Sequence, residues 1–294
     1  MRAGAFALPG RKSGLAIEYL FTDAAILRMG RGSRMTMQDF DWFMEQVYRK
    51  TGIDLRKYKR PQMERRLTAL RDRHGFRDFA GYFQALTENR EMYDEFLDRL
   101  TINVSEFFRN ANRWDVVMNR IVPELLQSKR KLKIWSAACS TGEEPYTLAL
   151  ILAKYLPLPE IEVLATDIDQ NAIAKAKQGI YQARSLEAVP EELLQKYFAV
   201  RGGGMYEISP DIKRCVKFQQ QNLLEDPFGQ EFDLIVCRNV IIYFTEQAKD
   251  QLYRKFAAAL RPGGILFVGS TEQIFHPQTY GFRPYDTFFY QKAT

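Results

Sequence analysis

Histidine is almost missing from this sequence: His74 and His276 are the only two in 294 residues, and neither lies near a second soft ligand. That spacing offers no metal cluster and no Ser-His-Asp constellation. Cysteine is nearly as scarce. Cys139, Cys215 and Cys237 are odd in number and form no CxxC pair, so neither a disulfide framework nor a zinc site is indicated. Long apolar runs are missing too, and no stretch approaches the roughly 18 residues a membrane-crossing helix requires. Direct membrane insertion is therefore not expected. A secretory signal needs a sustained apolar core and a small-residue cleavage site, and residues 1–35 offer neither. Chemistry in this chain falls to carboxylates, amides, arginines and tyrosines, with no metal.

What is present suits a globular protein. The chain is 46% hydrophobic and 13% aromatic, enough for a sizeable core, and its length allows two modest domains. The formal charge of +6 is unevenly placed. Residues 49–73 hold ten Lys and Arg against Asp54, Glu64 and Asp72, whereas the remaining residues carry 32 basic and 33 acidic side chains. The whole positive balance sits in one window, which describes a local surface for an acidic partner.

Residues 1–35 read as an extension, or as sequence upstream of a start at Met35 or Met37. From Thr36 the pattern turns helical. Thr36 and Asp39 resemble a capping box, Phe40, Phe43, Met44 and Val47 follow at helical spacing, and Gly52 is a stop. Pro61 suits the start of a second helix with Met63, Leu67 and Leu70 on its apolar stripe. Arg65, Arg66 and Arg73 fall on one flank of that helix. Two more amphipathic segments, near 76–86 and 92–102, complete an all-helical domain over residues 36–105.

The rest alternates strand and helix. The segments 132–137, 161–166, 216–219, 232–237 and 265–269 are short β-rich apolar runs, and the rhythm argues for a doubly wound α/β sheet over residues 106–294. Residues 287–292 read as a last, antiparallel strand, and 198–208 as a hairpin turning at Gly202-Gly203-Gly204.

The first of these strands runs into Ser136-Ala137-Ala138-Cys139-Ser140-Thr141-Gly142-Glu143-Glu144-Pro145, where small residues allow a ligand close to the backbone. The second ends in Asp167-Ile168-Asp169, placed for a ribose diol. A dinucleotide would want G-x-G-x-x-G and a free helix N-terminus for its pyrophosphate. Here one glycine is followed by two glutamates that repel phosphate. S-adenosylmethionine carries cations instead of phosphate, and acids near the loop suit it. Asn222-Leu223-Leu224 can meet an adenine ring, and Phe232–Asn239 brings a third strand end to the same edge.

Thr101–Arg109 (TINVSEFFR), Ser136–Tyr146 (SAACSTGEEPY), Ala165–Asp169 (ATDID), Asn222-Leu223-Leu224 and Cys237–Phe244 (CRNVIIYF) together resemble the CheR family of chemotaxis receptor methyltransferases, in the family's order and spacing from about residue 37 onward. The resemblance implies an all-helical N-terminal domain and a Rossmann-like class I methyltransferase domain, with a small antiparallel β-subdomain around 180–215. It implies methyl transfer from S-adenosylmethionine, leaving S-adenosylhomocysteine, to glutamate side chains of receptors. By the same resemblance Asn103, Ser105, Arg109, Glu143, Asp167, Asn222, Leu223, Arg238 and Asn239 hold the cofactor, with Glu143 at the methionine amino group. Arg109 and Tyr243 face the incoming glutamate. Arg65, Arg66 and Arg73 are expected to dock on the acidic helical bundle of the receptor's cytoplasmic part. A cytoplasmic monomer recruited to receptor arrays is implied, with no nucleic acid bound. The compact Arg201–Met205 turn replaces the longer glycine-spaced loop by which some members bind a receptor C-terminal pentapeptide, so no such binding is expected. The rival readings are a nucleic-acid or small-molecule methyltransferase on the same fold, and a cofactor-binding adaptor without turnover.

Overall fold

The computed structural model describes residues 35–101, 103, 105–128 and 130–293. The extension expected over 1–35 therefore lies outside the described residues, save for Met35.

Four helices come first: α1 (Met35–Thr51), α2 (Arg60–Arg73), α3 (Phe79–Glu88) and α4 (Arg90–Thr101). Helix α1 already includes Met35, so Thr36 lies inside it and not at its cap. Phe40, Phe43, Val47, Met63, Leu67, Tyr82, Phe96 and Leu100 close into one buried cluster. The apolar stripes read from the sequence thus point at one another. Asp78 caps α3 by accepting from the Gly81 N–H.

After a linking segment come α5 (Ala111–Val116) and α6 (Val122–Ser128), joined through a π-helical turn over Val117–Ile121. Then β1 (Ile134–Ala137), α7 (Glu143–Leu152), β2 (Val163–Asp167), α8 (Gln170–Gln178), β3 (Ile180–Gln182), α9 (Glu191–Tyr197), β4 (Phe198–Gly202), β5 (Met205–Ile208), α10 (Pro210–Arg214), β6 (Val216–Gln220), β7 (Phe232–Cys237), α11 (Glu246–Ala259), β8 (Leu260–Val268), β9 (Phe282–Asp286) and β10 (Phe289–Lys292) follow. The main sheet has the order β6-β2-β1-β7-β8-β10-β9. Its first five strands are parallel, and β10 and β9 close it antiparallel. Strands β3, β5 and β4 form a separate antiparallel sheet.

The doubly wound sheet read from the sequence is therefore present. Its central strands β1 and β7 are buried at every position because both faces are covered. Leu234 and Val236 of β7 join a core with α6 and α7, while Ile235 and Cys237 join one with α11. Two strands escaped the sequence reading, β3 and β9, and β8 begins five residues earlier than expected. The strand order reverses at β1 and β2 against β7, and the crevice beyond their carboxyl ends is where an open α/β sheet places a ligand.

Candidate active site

One cleft lies at that crevice, about 1070 Å³ with its open mouth counted. Its wall includes Asn103, Ser105, Arg109, Asp167, Asn222, Leu223, Arg238, Asn239 and Tyr243. Ile53, Tyr58, Leu100 and Thr101 of the helical part line it as well. Of the residues the sequence assigned to cofactor or substrate, Glu143 alone is not in this wall.

The loop after β1 sets the floor. Ala138, Ser140 and Gly142 all have positive φ, at 64°, 48° and 97°. For Ala138 and Ser140 that conformation costs on the order of 1 kcal/mol each, and such strain concentrates where a backbone must meet a ligand. At Gly142 a Cβ would lie 2.8 Å from Ala176 Cβ and 3.0 Å from the Tyr181 hydroxyl, so only glycine fits. The fold is held there by backbone donors: Cys139 N–H reaches Thr166 O at 2.9 Å, and Ser140 N–H reaches Asp167 Oδ2 at 2.7 Å.

Asp167 ends β2, only 7% exposed, and its other oxygen accepts from Asp169 N–H at 2.9 Å. Burial pushes its pKa up to about 6, against the pull of those N–H groups. Asp169, unlike Asp167, does not line the cleft. Oδ1 caps α8 through Asn171 and Ala172 N–H, and Oδ2 accepts from Thr101 Oγ1 at 3.0 Å and Asn103 Nδ2 at 2.7 Å. Asn103 in turn accepts from Ser140 Oγ at 2.8 Å. One carboxylate thus joins the end of α4 to the floor loop.

Glu143 and Glu144 open α7 but diverge. Glu143 is turned inward, taking the Thr141 hydroxyl at 2.7 Å and the Ser105 hydroxyl. Glu144, which the sequence counted among the loop's acids but gave no contact of its own, lines the cleft. Burial drives its pKa up to about 7, opposed by Arg238 and by the Ser136 hydroxyl at 2.9 Å. Two acids and a cradle free of phosphate-binding character suit a cationic ligand such as S-adenosylmethionine. Asp167 and Glu144 would hold its charged and ribose groups, and Asn222 and Leu223 its base.

Arg238 follows β7 and is buried, sandwiched over Trp114 at 5.3 Å and Phe267 at 4.7 Å. Nη2 donates to Arg109 O at 2.8 Å and Asn110 Oδ1 at 2.9 Å, and Nη1 lies 3.6 Å from Glu144. The Arg109 carbonyl also receives Trp114 Nε1 at 3.1 Å. These donors fix the turn that presents Arg109 to the cleft.

On the other wall, Tyr243 O accepts from Lys59 N–H at 2.8 Å and Thr245 N–H reaches Lys57 O at 2.9 Å. Tyr58 packs edge-on against Phe244 at 5.1 Å. Asn222 reaches Gly52 O with its amide at 3.3 Å, and Lys57 pairs with Glu225 at 2.6 Å.

The three arginines expected to share a docking face part company. Arg66 is half-buried with its guanidinium 5.5 Å over the Tyr243 ring, and Nη1 donates to Arg99 O and Leu100 O, each at 3.3 Å. Arg73 is ion-paired with Glu95 of α4. Arg65 is exposed. A helical wheel gives the flank, but only the packing of α4 and Tyr243 against it shows which of these cations are taken. Glu272 was also missed; it is a loop residue with no flanking motif.

Among the described residues no helix is long and apolar enough to cross a membrane, and no group of three metal-ligating side chains occurs. Family models match across the chain: "CheR methyltransferase, all-alpha domain" over residues 38–101 and "CheR methyltransferase, SAM binding domain" over 103–289. A chemotaxis protein methyltransferase of Listeria innocua is 42% identical over 257 residues, covering 87% of this chain and 98% of its own. Chemotaxis protein methyltransferase 2 of Vibrio cholerae is 34% identical, covering 82% and 87%. The chemotaxis protein methyltransferase of Salmonella typhimurium is 32% identical, covering 85% and 88%.

Proposed function

Because the chain belongs to the CheR methyltransferase family, we propose that its cleft aligns a receptor glutamate, beside Arg109 and Tyr243, with bound S-adenosylmethionine. The protein is an S-adenosylmethionine-dependent methyltransferase of chemotaxis receptors, and the proposal concerns how its residues do this. What supports it is one observation: the ends of β1, β2, β6 and β7 line the same cleft as Asn103, Ser105, Glu106, Arg109 and Tyr243.

Bound S-adenosylmethionine supplies an electrophilic methyl group on a cationic sulfur. A glutamate carboxylate is ionised at pH 7 and needs no base, so the protein's task is alignment and exclusion of water. Such positioning can supply roughly 7–11 kcal/mol. Asp167 accepts from hydroxyls, and Glu144 with Asp167 gives the cleft negative charge. Glu143 supports the wall from behind through Thr141 and Ser105. Arg109 orients the incoming carboxylate with a charge-assisted hydrogen bond, and Tyr243 holds one of its oxygens. The hairpin of β4 and β5 turns within Gly202–Gly204, too short to seat a receptor tail, so a C-terminal pentapeptide is not bound.

The test is transfer of labelled methyl groups to receptor-bearing membranes, followed by mild base. Label released as volatile methanol, and lost when receptor glutamates become alanine, is the expected result. Base-stable label, or label in RNA, overturns the glutamate reading. Arg109→Ala is expected to lower turnover about 100-fold, the scale of misaligned reactants. Near-normal turnover in both Arg109→Ala and Tyr243→Phe would remove these residues from the mechanism. Micromolar binding of a receptor tail peptide would refute the hairpin argument.

A further inference from the structure

The loop after β8 carries a carboxylate that the reading above leaves without a task. Glu272 is 4% exposed. Its Oε2 accepts from Asn239 N–H and from Gly269 N–H, each at 2.7 Å, and Oε1 accepts from Ile242 N–H at 3.2 Å. The Ile241 N–H is directed at the same carboxylate. The donors belong to the loops beyond two neighbouring parallel strands, β7 and β8. Asn239 is held with φ at 61°, which asparagine tolerates only at some cost. The approach is so close that a Cβ on Gly269 would collide with Oε2 and lie 2.9 Å from the Asn239 nitrogen.

Building on the proposed function, we propose that Glu272 is a positioning residue for the 239–243 loop, fixing Asn239 on the cofactor side and Tyr243 on the substrate side to the end of β8. The chemistry demands a carboxylate because both of its oxygens accept. A glutamine offers one acceptor and one donor. Whichever way its amide turned, an NH2 would face backbone N–H groups that have lost their partner, and such groups are costly when buried. The loop would then relax away from the cleft, although Glu272 itself touches neither reactant.

The experiment uses the full chain carrying Glu272→Gln, alone and with Tyr243→Phe, and Gly269→Ala as an independent disturbance of the same junction. Thermal unfolding, S-adenosylhomocysteine affinity by calorimetry, and kcat and KM for receptor methylation are measured. Glu272→Gln is expected to lower kcat about tenfold or more and weaken S-adenosylhomocysteine about three- to tenfold, with receptor KM moving less. In the Tyr243→Phe background the further loss of kcat shrinks to about threefold or below, because both changes act on one element. Gly269→Ala shifts affinity and kcat in the same direction. A folded Glu272→Gln protein with kcat and affinity within about twofold of the parent overturns the inference, as do losses that multiply fully in the double variant. If Glu272→Gln does not fold at the assay temperature, Gly269→Ala decides by the same limits. A parent that fails to methylate receptor glutamates would sink the proposed function instead, while the calorimetric result still judges Glu272.

Discussion

The two walls of the cleft handle charge in opposite ways. On the sheet side, Asp167, Asp169, Arg238 and Glu272 are all buried and each is held by backbone or aromatic partners at fixed distances. On the helical side, the basic window pairs mostly at the surface: Arg49 with Glu45, Arg56 with Asp54, Arg60 with Asp41 and Glu64, Arg71 with Asp72. Exposed pairs of this kind contribute about 0–1 kcal/mol, so the window does little for stability. We propose that its remaining cations act on an acidic partner as a field. Removing one partner of a buried set leaves the rest unsatisfied, whereas removing one surface cation subtracts a fraction of a field. On that reading the sheet wall sets where atoms sit, and the helical wall sets what approaches.

Asp167→Asn probes the sheet wall hardest. One side of the amide must present N–H to Ser140 N–H or Asp169 N–H, and the charge facing the ligand is lost. S-adenosylhomocysteine affinity is expected to fall about 10- to 100-fold, equivalent to roughly 1.5–3 kcal/mol for hydrogen bonds to a charged group. A change below threefold in calorimetry would break the comparison. The same wall gives a pH dependence. Asp167 at about 6 and Glu144 at about 7 are raised by burial, so the ligand-free protein favours their protonated forms. Their contribution to stability is full at pH values below the ordinary carboxylate range and is lost as pH rises through about 6 to 7. A cationic ligand favours the ionised forms, so S-adenosylmethionine affinity should rise up to about tenfold from pH 5.5 to 7.5, with protons released on binding. A flat affinity profile would mean that neither acid meets the cation.

What could be read in advance follows the same division. The parallel strands were legible because burial on both faces favours short apolar runs, as in residues 234–237. Strand β3 has three residues, with Ile180 and Gln182 exposed, and β9 is an edge strand containing Pro284, so neither carries an alternating apolar signal. The onset of β8 hides behind Pro262 and Gly263. In the site, the strand-end acids were legible, but which of Glu143 and Glu144 faces the cleft depends on the left-handed turn at Gly142. Glu272 was invisible because its meaning lies in backbone N–H groups some thirty residues away in sequence. The arginine flank was legible as a flank; its division was not, since it depends on how α4 and Tyr243 dock against it.

That division yields the smallest but most discriminating effects. Arg66 reaches across from the helical wall to the Tyr243 ring while capping the last carbonyls of α4, so it belongs energetically to the site. Arg66→Ala is therefore expected to lower kcat about fivefold, in keeping with a partly buried cation–π contact near 1 kcal/mol. High salt should not erase that loss. Arg65 is exposed, and its neutralisation should raise the receptor KM only about two- to threefold at low salt, an effect that vanishes by about 0.5 M as screening shortens the field. Arg73→Ala should fall between, since its pairing with Glu95 already spends part of its charge inside the helical domain. Methylation assays across a salt series separate the three. Equal, salt-sensitive KM effects for all of them would restore a single docking face and place Arg66 with the field rather than with the site.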